Sequence, residues 1–416
     1  MTKKILFIDP IDKGYRNFTR LNDNFVSKGF STLLVHTSSF YYPISEKEKK
    51  IDSLLIRDIS FYDTIYIKKV IEEEKPDIIL MINLSFVFDR AIVNIAKKSN
   101  IKLVYLAHGT LINPNTYETA SNKLDKLIKN NPKRIFRKKN FYVLLNYLSS
   151  KSGIKKTTSL FSLIKGIFSK PSRFLTLATY NKELDVDLLL VYTSSDKKQL
   201  HENMGFPENK IKVVGNPEIS VFMKSGFIAK ETFLREHNIE SENYAVYLDD
   251  GLVANKTWTK EEWYDHLISI TEILKKQQIV LVIKLHPRMN ITEHTVFFEK
   301  NKNIIIPIVD GNFKNLLQHA SFVISHYSST VVYALLFNKT VIIPKWSEAS
   351  KYLSNKYPKN IVHYCQTIKE FENCIHLEIT EQKKILIESY LKENNIDPDM
   401  NSIDIIVNET IALTKN

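Results

Sequence analysis

The chain has 416 residues and a formal net charge of +12, with 44% hydrophobic and 25% charged residues, ordinary globular values that exclude disordered, collagenous and fibrous classes. At roughly 100 to 200 residues per domain this length predicts two or three domains, and no stretch reaches the ~18 uninterrupted apolar residues of a membrane span. Glycine numbers only 10 against an average near ~7%, and neither GxGxxG nor GxxxxGK occurs, which argues against dehydrogenase and P-loop chemistry.

The N-terminus runs from Lys3 and Lys4 straight into a short apolar strand at residues 5–9, closed by Pro10. With neither a long apolar region nor a cleavage site, it predicts a cytoplasmic chain. A helix at 15–27 and a strand at 31–36 follow, then a strand at 77–82, a helix at 88–98 and a strand at 102–107 that runs into His108, Gly109 and Thr110. A strand at 187–192, a helix at 194–203 and a strand at 210–214 complete a series that predicts a parallel sheet. A second series has strands at 244–248, 279–285, 304–309, 322–325 and 340–343, with helices at 260–276, 313–319 and 330–337. The expected architecture is α/β, two doubly wound Rossmann-like domains facing a cleft, with ligands at the carboxyl ends of the strands. The expected boundaries are 1–217, 218–380 and a helical tail at 381–416.

The positive charge is local. Residues 121–182 hold 15 Lys and Arg and one acid, Asp125, so this segment carries +14 and the remainder about −2. Its basic run (Lys133, Arg134, Arg137, Lys138, Lys139) alternates with the apolar patches FYVLLNYL and SLFSLIKGIF. That pattern suits an anionic membrane surface, at about 1 kcal/mol per basic residue near the headgroups. The plainer alternative is a helical insertion whose apolar face packs on its own domain. No RNP, KH or helix-turn-helix signature supports nucleic acid. Cys365 and Cys374 have neither CxxC spacing nor histidine-rich surroundings, so no disulfide framework or zinc site is expected.

Five polar clusters fall at predicted strand ends: His108-Gly109-Thr110, Asp249-Asp250-Gly251, the Lys284 to Arg288 stretch KLHPR, Asp310-Gly311-Asn312, and His326-Tyr327-Ser328-Ser329-Thr330. The last opens a predicted helix, whose N–H groups and positive dipole end attract an anion, with Ser328, Ser329 and Thr330 adding hydroxyl donors. One of these serines as a simple N-cap is the plainer alternative. In KLHPR, Pro287 fixes the backbone after His286, and a protonated imidazole there would donate to a departing phosphate. Asp249 and Asp250 raise one another's pKa if both face inward, which suits one of them to act as a general base. Strand alternation points instead to one facing the cleft and the other capping a turn with Gly251. Asp185-Val186-Asp187 has the DxD form but precedes its strand, and no other cluster has metal-ligand spacing, so no essential metal or other cofactor is expected.

Taken together, Asp249-Asp250-Gly251, His286-Pro287 and Ser328-Ser329 resemble motifs of the GT-B class of nucleotide-sugar transferases, and within it the bacterial sialyltransferases and related capsule transferases. The resemblance covers mainly residues 244–344, and HASFVISHYSSTVVYALLFNKTVIIP also looks like the donor-domain core of GT-B capsule and teichoic-acid enzymes. It implies a metal-independent glycosyltransferase with a nucleotide-sugar donor, a CMP-activated nonulosonic acid or Kdo, and a glycan or lipid-linked glycan acceptor in bacterial surface polysaccharide synthesis. By this resemblance Asp250 or Asp249 is the base and His286 stabilises departing phosphate. Lys284, Pro287, His326, Ser328, Ser329 and Thr330 bind the donor, and Asp310, Gly311 and Asn312 approach the nucleoside. Residues 121–182 then hold the enzyme peripherally at the inner face of the cytoplasmic membrane. His108-Gly109-Thr110 resembles instead the HGT motif of CDP-glycerol glycerophosphotransferases, which implies polyol-phosphate transfer with His108 as base. A UDP-sugar donor and a binding-only module are the remaining alternatives.

Overall fold

A computed structural model describes residues 2–84, 86–108, 137–151, 182–254, 257–308, 313–347 and 355–414, together with positions 129, 161, 165, 166 and 350. The chain divides into two compact units, Met1–Pro217 with Asp399–Asn416, and Glu218–Pro398. The second unit is thus inserted near the end of the first, and the C-terminal helices are shared out. The helix Glu381–Glu393 buries Ile387 in the second unit, whereas Ser402–Ala412 buries Ile406 and Val407 in the first.

Among the described residues the first unit is built on eight strands: β1 (Lys4–Asp9), β2 (Ser31–His36), β3 (Glu48–Ile51), β4 (Leu54–Asp58), β5 (Ile78–Met81), β6 (Lys102–Leu106), β7 (Leu188–Val191) and β8 (Ile211–Val213). Their order is β3-β4-β2-β1-β5-β6-β7-β8. Every pairing is parallel except β3 with β4, an edge hairpin turned at Asp52 with φ 53°. The second unit has β9 (Tyr244–Leu248), β10 (Val280–Lys284), β11 (Ile305–Ile308), β12 (Phe322–Ile324), β13 (Val341–Pro344) and β14 (His363–Cys365), in the order β11-β10-β9-β12-β13-β14 and parallel throughout.

Both sheets are doubly wound, because the chain leaves β1 and β9 toward one edge and returns to build toward the other. The central strands read as unbroken apolar runs since helices cover both faces. On β9, Tyr244, Val246 and Leu248 join one core while Ala245 and Tyr247 join the other, the period-two alternation of a strand. In such sheets ligands sit beyond the carboxyl ends of the strands where the winding reverses. In the second unit that point lies at β9 and β12.

Among the described residues no helix is long and apolar enough to cross a membrane. Cys365 and Cys374 are free thiols with their sulfurs 3.6 Å apart.

Candidate functional site

Asp249 and Asp250 leave the carboxyl end of β9, and each turns to a different neighbouring strand. Asp249 accepts from the backbone N–H of Gly251 at 3.0 Å and from that of His286, just past β10, at 3.1 Å. Asp250 accepts from the N–H of His326, just past β12, at 2.8 Å, and more loosely from the Tyr327 N–H and the Ser325 hydroxyl at 3.4 Å. Both are buried. Burial pushes Asp250 up to about 7 against the pull of the His326 N–H, with the charge of Asp249 adding to the rise. Burial likewise raises Asp249. The expectation of a general base at this pair meets a physical obstacle. Both carboxylates are enclosed and spend their oxygens on backbone donors, which is how a buried carboxylate holds loops rather than how one collects a ligand's proton.

His286 is half-buried, and its Nδ1 accepts from the Arg288 N–H at 3.1 Å across the Pro287 turn. Gly251 adopts φ +68°, and a Cβ there would stand 2.9 to 3.1 Å from three ring atoms of His286. The position therefore requires glycine twice over, for the left-handed backbone and for the room the imidazole takes. Burial first, and the Arg288 charge second, lower the ring's pKa. That shift works against the protonated imidazole expected from the sequence. Lys284 closes β10, its carbonyl accepting from the Asp249 N–H at 3.0 Å.

The hydroxyl turn lies beside this pair. The helix after it, Val331–Leu336, has only six residues, shorter than the expected 330–337. The Ser328 hydroxyl accepts from the Thr330 N–H at 3.2 Å and lies 2.6 Å from the Thr330 hydroxyl, closing a local turn. Ser329 is exposed. From below, the buried Tyr357 hydroxyl donates to the Ser328 carbonyl at 2.6 Å.

His326 was expected among the binding residues, but its ring is fully buried and only its backbone reaches the site. The imidazole packs 5.0 Å from both Trp258 and His266, and its Nε2 lies 3.1 Å from the Tyr247 hydroxyl. Burial holds His326 well below the usual histidine range and takes His266 down to about 3, so both rings are neutral core residues. Asp310, Gly311 and Asn312 lie outside the described residues, as do Gly109 and Thr110.

In the first unit His108 follows β6 and is exposed, its Nδ1 3.1 Å from Asn17 Oδ1. The same strand ends carry groups that motif reading passed over. Asp9 is buried at the end of β1, one oxygen accepting from the Ile11 N–H at 3.0 Å and the other packed against Gly14 with no hydrogen-bond partner among the described residues. Burial raises it to about 6. His36 and Asp58 pair at 3.1 Å at the ends of β2 and β4. The strand-end position of Asp9 was the available signal; Asp58 caps the turn after it through the Ser60 N–H, but its His36 and Ser39 partners come from another segment and left none.

Asp185 pairs with Lys210 at 2.6 Å and Lys97 at 3.0 Å, and Asp187 accepts from the Leu103 N–H at 2.8 Å. The DxD sequence is therefore a strand anchor. Among the described residues no group of three or more His, Cys, Asp or Glu gathers as a metal site. Most of residues 121–182 lies outside the description. The helix Lys138–Ser149 within it packs Tyr147 on Val87 and Ala91 of its own unit, while Phe141 is exposed.

No protein-family model matches the chain, and no curated protein sequence matches it. Solved structures share its fold. The UDP-GlcNAc 2-epimerase from Methanocaldococcus jannaschii in complex with UDP-GlcNAc and UDP superposes with a TM-score of 0.54 at 14% identity, covering 100% of both chains. The wall teichoic acid polymerase TagF, as an H444N variant, gives 0.54 at 11% identity, covering 100% of this chain and 90% of its own. The UDP-GlcNAc 2-epimerase from Neisseria meningitidis bound to UDP-GlcNAc gives 0.52 at 14% identity, covering 99% and 100%. At this identity the likeness establishes the two-domain GT-B fold.

Proposed function

We propose that this chain is a glycosyltransferase that takes a sugar from a nucleotide-sugar donor, a CMP-activated nonulosonic acid or Kdo, to a hydroxyl of a glycan or lipid-linked glycan. The observation that carries the reading is the convergence of three short motifs in one unit. Asp249-Asp250-Gly251, His286-Pro287 and Ser328-Ser329 follow β9, β10 and β12, which lie side by side with β9 in the middle, and the two carboxylates tie the flanking turns to that central strand. His286 serves the departing phosphate, and the Ser328 to Thr330 turn and Lys284 serve the donor's phosphate. Asp249 and Asp250 hold these loops in place. The basic residues of 121–182 attach the enzyme to an anionic leaflet at the cytoplasmic face.

A second reading, transfer of a polyol phosphate from CDP-glycerol or CDP-ribitol, draws support from His108 standing at the end of β6 with its ring held by Asn17. UDP-GlcNAc in two of the fold relatives makes a UDP-sugar the third donor class to test.

The deciding experiment incubates the purified chain separately with CMP-sialic acid, CMP-Kdo, CDP-glycerol and UDP-sugars and measures released nucleotide. CMP from a CMP-sugar, reduced ~10²- to 10³-fold in His286→Ala as for loss of one oxyanion donor, is the expected result. CMP from CDP-glycerol alone moves the assignment to polyol-phosphate transfer, UDP release alone replaces the cytidine donor, and no release from any donor rejects the transferase reading.

A further inference from the structure

We propose that Cys365 and Cys374 are a reversible dithiol–disulfide pair, closed by exchange with a low-molecular-weight disulfide, that staples the strand β14 to the helix Ile368–Cys374. Both residues and everything they act on lie in the second unit. The thiol chemistry is independent of the transferase reading above; only its effect on donor binding rests on that reading.

The fold brings the pair together. Cys365 is the last residue of β14, which among the described residues is an edge strand of the second sheet, and Cys374 is the last residue of the helix that follows. The Thr367 hydroxyl caps this helix by accepting from the Glu370 N–H at 3.1 Å. The buried Phe371 ring anchors it 5.4 Å from Trp346. So held, the helix ends with Cys374 Sγ 3.6 Å from Cys365 Sγ. Two sulfurs at that distance are in van der Waals contact, and a bond of ~2.05 Å asks them to close by about 1.5 Å. That movement is within reach of side-chain rotation at the half-buried Cys374.

Exposure divides the roles. Cys365 is buried, and burial, with Cys374 adding to it, raises its thiol pKa, so it is inert toward a reagent in solution. Cys374 reaches the surface, and the Lys383 ammonium lies within electrostatic reach of it. The Cys374 thiolate attacks one sulfur of the reagent, which expels the other as a thiolate and leaves a mixed disulfide. Cys365 then attacks the Cys374 sulfur and expels the second thiolate, which takes the Cys365 proton. In sum, two protein thiols and one reagent disulfide become one protein disulfide and two reagent thiols; the protein is oxidised by the two electrons that reduce the reagent.

The staple acts on a strand that has little else to hold it. β14 has three residues and pairs with β13 alone among the described residues. It carries Tyr364, whose hydroxyl accepts from the Tyr357 N–H at 3.0 Å and donates to the Tyr357 carbonyl at 2.8 Å. Tyr357 in turn holds the Ser328 carbonyl. Fixing β14 therefore fixes the hydroxyl turn through two tyrosines, and on the transferase reading the oxidised form binds the donor more tightly.

The test incubates the full chain in native buffer with oxidised glutathione, quenches with acid, and follows thiols and intact mass. Both thiols of the chain should disappear, the mass should fall by two hydrogens with no glutathione retained, and dithiothreitol should restore the starting state. Cys365→Ser should stop at a glutathione adduct on Cys374, whereas Cys374→Ser should stay unmodified over the same interval. The oxidised wild type should unfold at higher urea than the reduced one by tryptophan fluorescence, a shift absent from Cys374→Ser. Two surviving thiols, a lasting glutathione adduct on the wild type, or a disulfide between two chains overturns the pair, and a lower midpoint on oxidation overturns the staple. With a donor that is turned over, oxidation should lower its KM several-fold, and an unchanged KM overturns the link to the hydroxyl turn. Absence of turnover with every donor rejects the transferase reading and that link with it, while the thiol count decides the pair on its own.

Discussion

The Asp250 carboxylate and the His326 backbone N–H meet at 2.8 Å across the gap between β9 and β12. One residue earlier, Asp249 makes the corresponding bond to His286 beyond β10. Two consecutive acids thereby clamp both turns that the candidate site is made of, from a single strand end. Such clamps act on geometry, and their loss is read in binding and stability together.

Asp250→Ala leaves the His326 N–H buried without an acceptor, at a cost of about 1–3 kcal/mol. Urea unfolding followed by tryptophan fluorescence should show that loss, with a raised donor KM beside a lowered kcat. Asp250→Asn keeps one acceptor oxygen and should lose much less turnover than Asp250→Ala. Equal inactivation of the two would restore Asp250 to the role of base.

The same carboxyl makes stability depend on pH. Its folded pKa, about 7, is raised from 3.8, so the folded state holds a proton that the unfolded chain releases. Stability from this group is therefore present below the unfolded pKa and falls as pH rises toward the folded one. All three tryptophans, Trp258, Trp263 and Trp346, lie in the second unit, so their fluorescence reports that unit. Between pH 5 and pH 8 the wild type should lose stability relative to Asp250→Asn. The buried His266 and His326 act with the opposite sign and are common to both proteins. A constant difference between the two denaturation midpoints would contradict the assignment.

Gly251→Ala should cost about 1–2 kcal/mol for its left-handed backbone and, in addition, displace the His286 ring. Turnover should fall by more than the melting temperature suggests, because most of the folded protein would carry a misaligned imidazole. Full activity in a folded Gly251→Ala variant would show that the ring contact at 2.9 Å is not needed.

Tyr357→Phe removes the hydroxyl that holds the Ser328 carbonyl. A loss of about 0.5–1.5 kcal/mol in unfolding free energy is expected, with a several-fold increase in donor KM and little change in kcat. Calorimetry of donor binding measures the same effect directly.

The long strands were legible because burial on both faces makes them continuous apolar runs, as in YAVYL of β9 and VLVIK of β10. The β3–β4 hairpin was not, since EKKI on an exposed edge carries more charge than apolar surface and its turn is a single left-handed Asp52. β14 escaped notice because three residues, HYC, give no period. Strand-end position located the candidate site, but the roles within it depend on which backbone groups approach from 37 and 76 residues away. No local pattern encodes that His326 turns its ring into the core while lending its N–H to Asp250. Tyr357, which reaches the hydroxyl turn from 29 residues away, is invisible for the same reason.

The last helix, Ser402–Ala412, completes the first unit by packing on the helix Arg16–Ser27, with Asn24 donating to Asp404 at 2.8 Å. During synthesis this sets an order of events. The 181 residues of Glu218–Pro398 are translated between the first unit's main body and its final piece, an interval on the order of ten to forty seconds at ~5–20 residues per second. Through that interval the Arg16–Ser27 surface that Ser402–Ala412 covers is still bare, so a chain truncated before residue 402 should bind chaperones more strongly than the full chain.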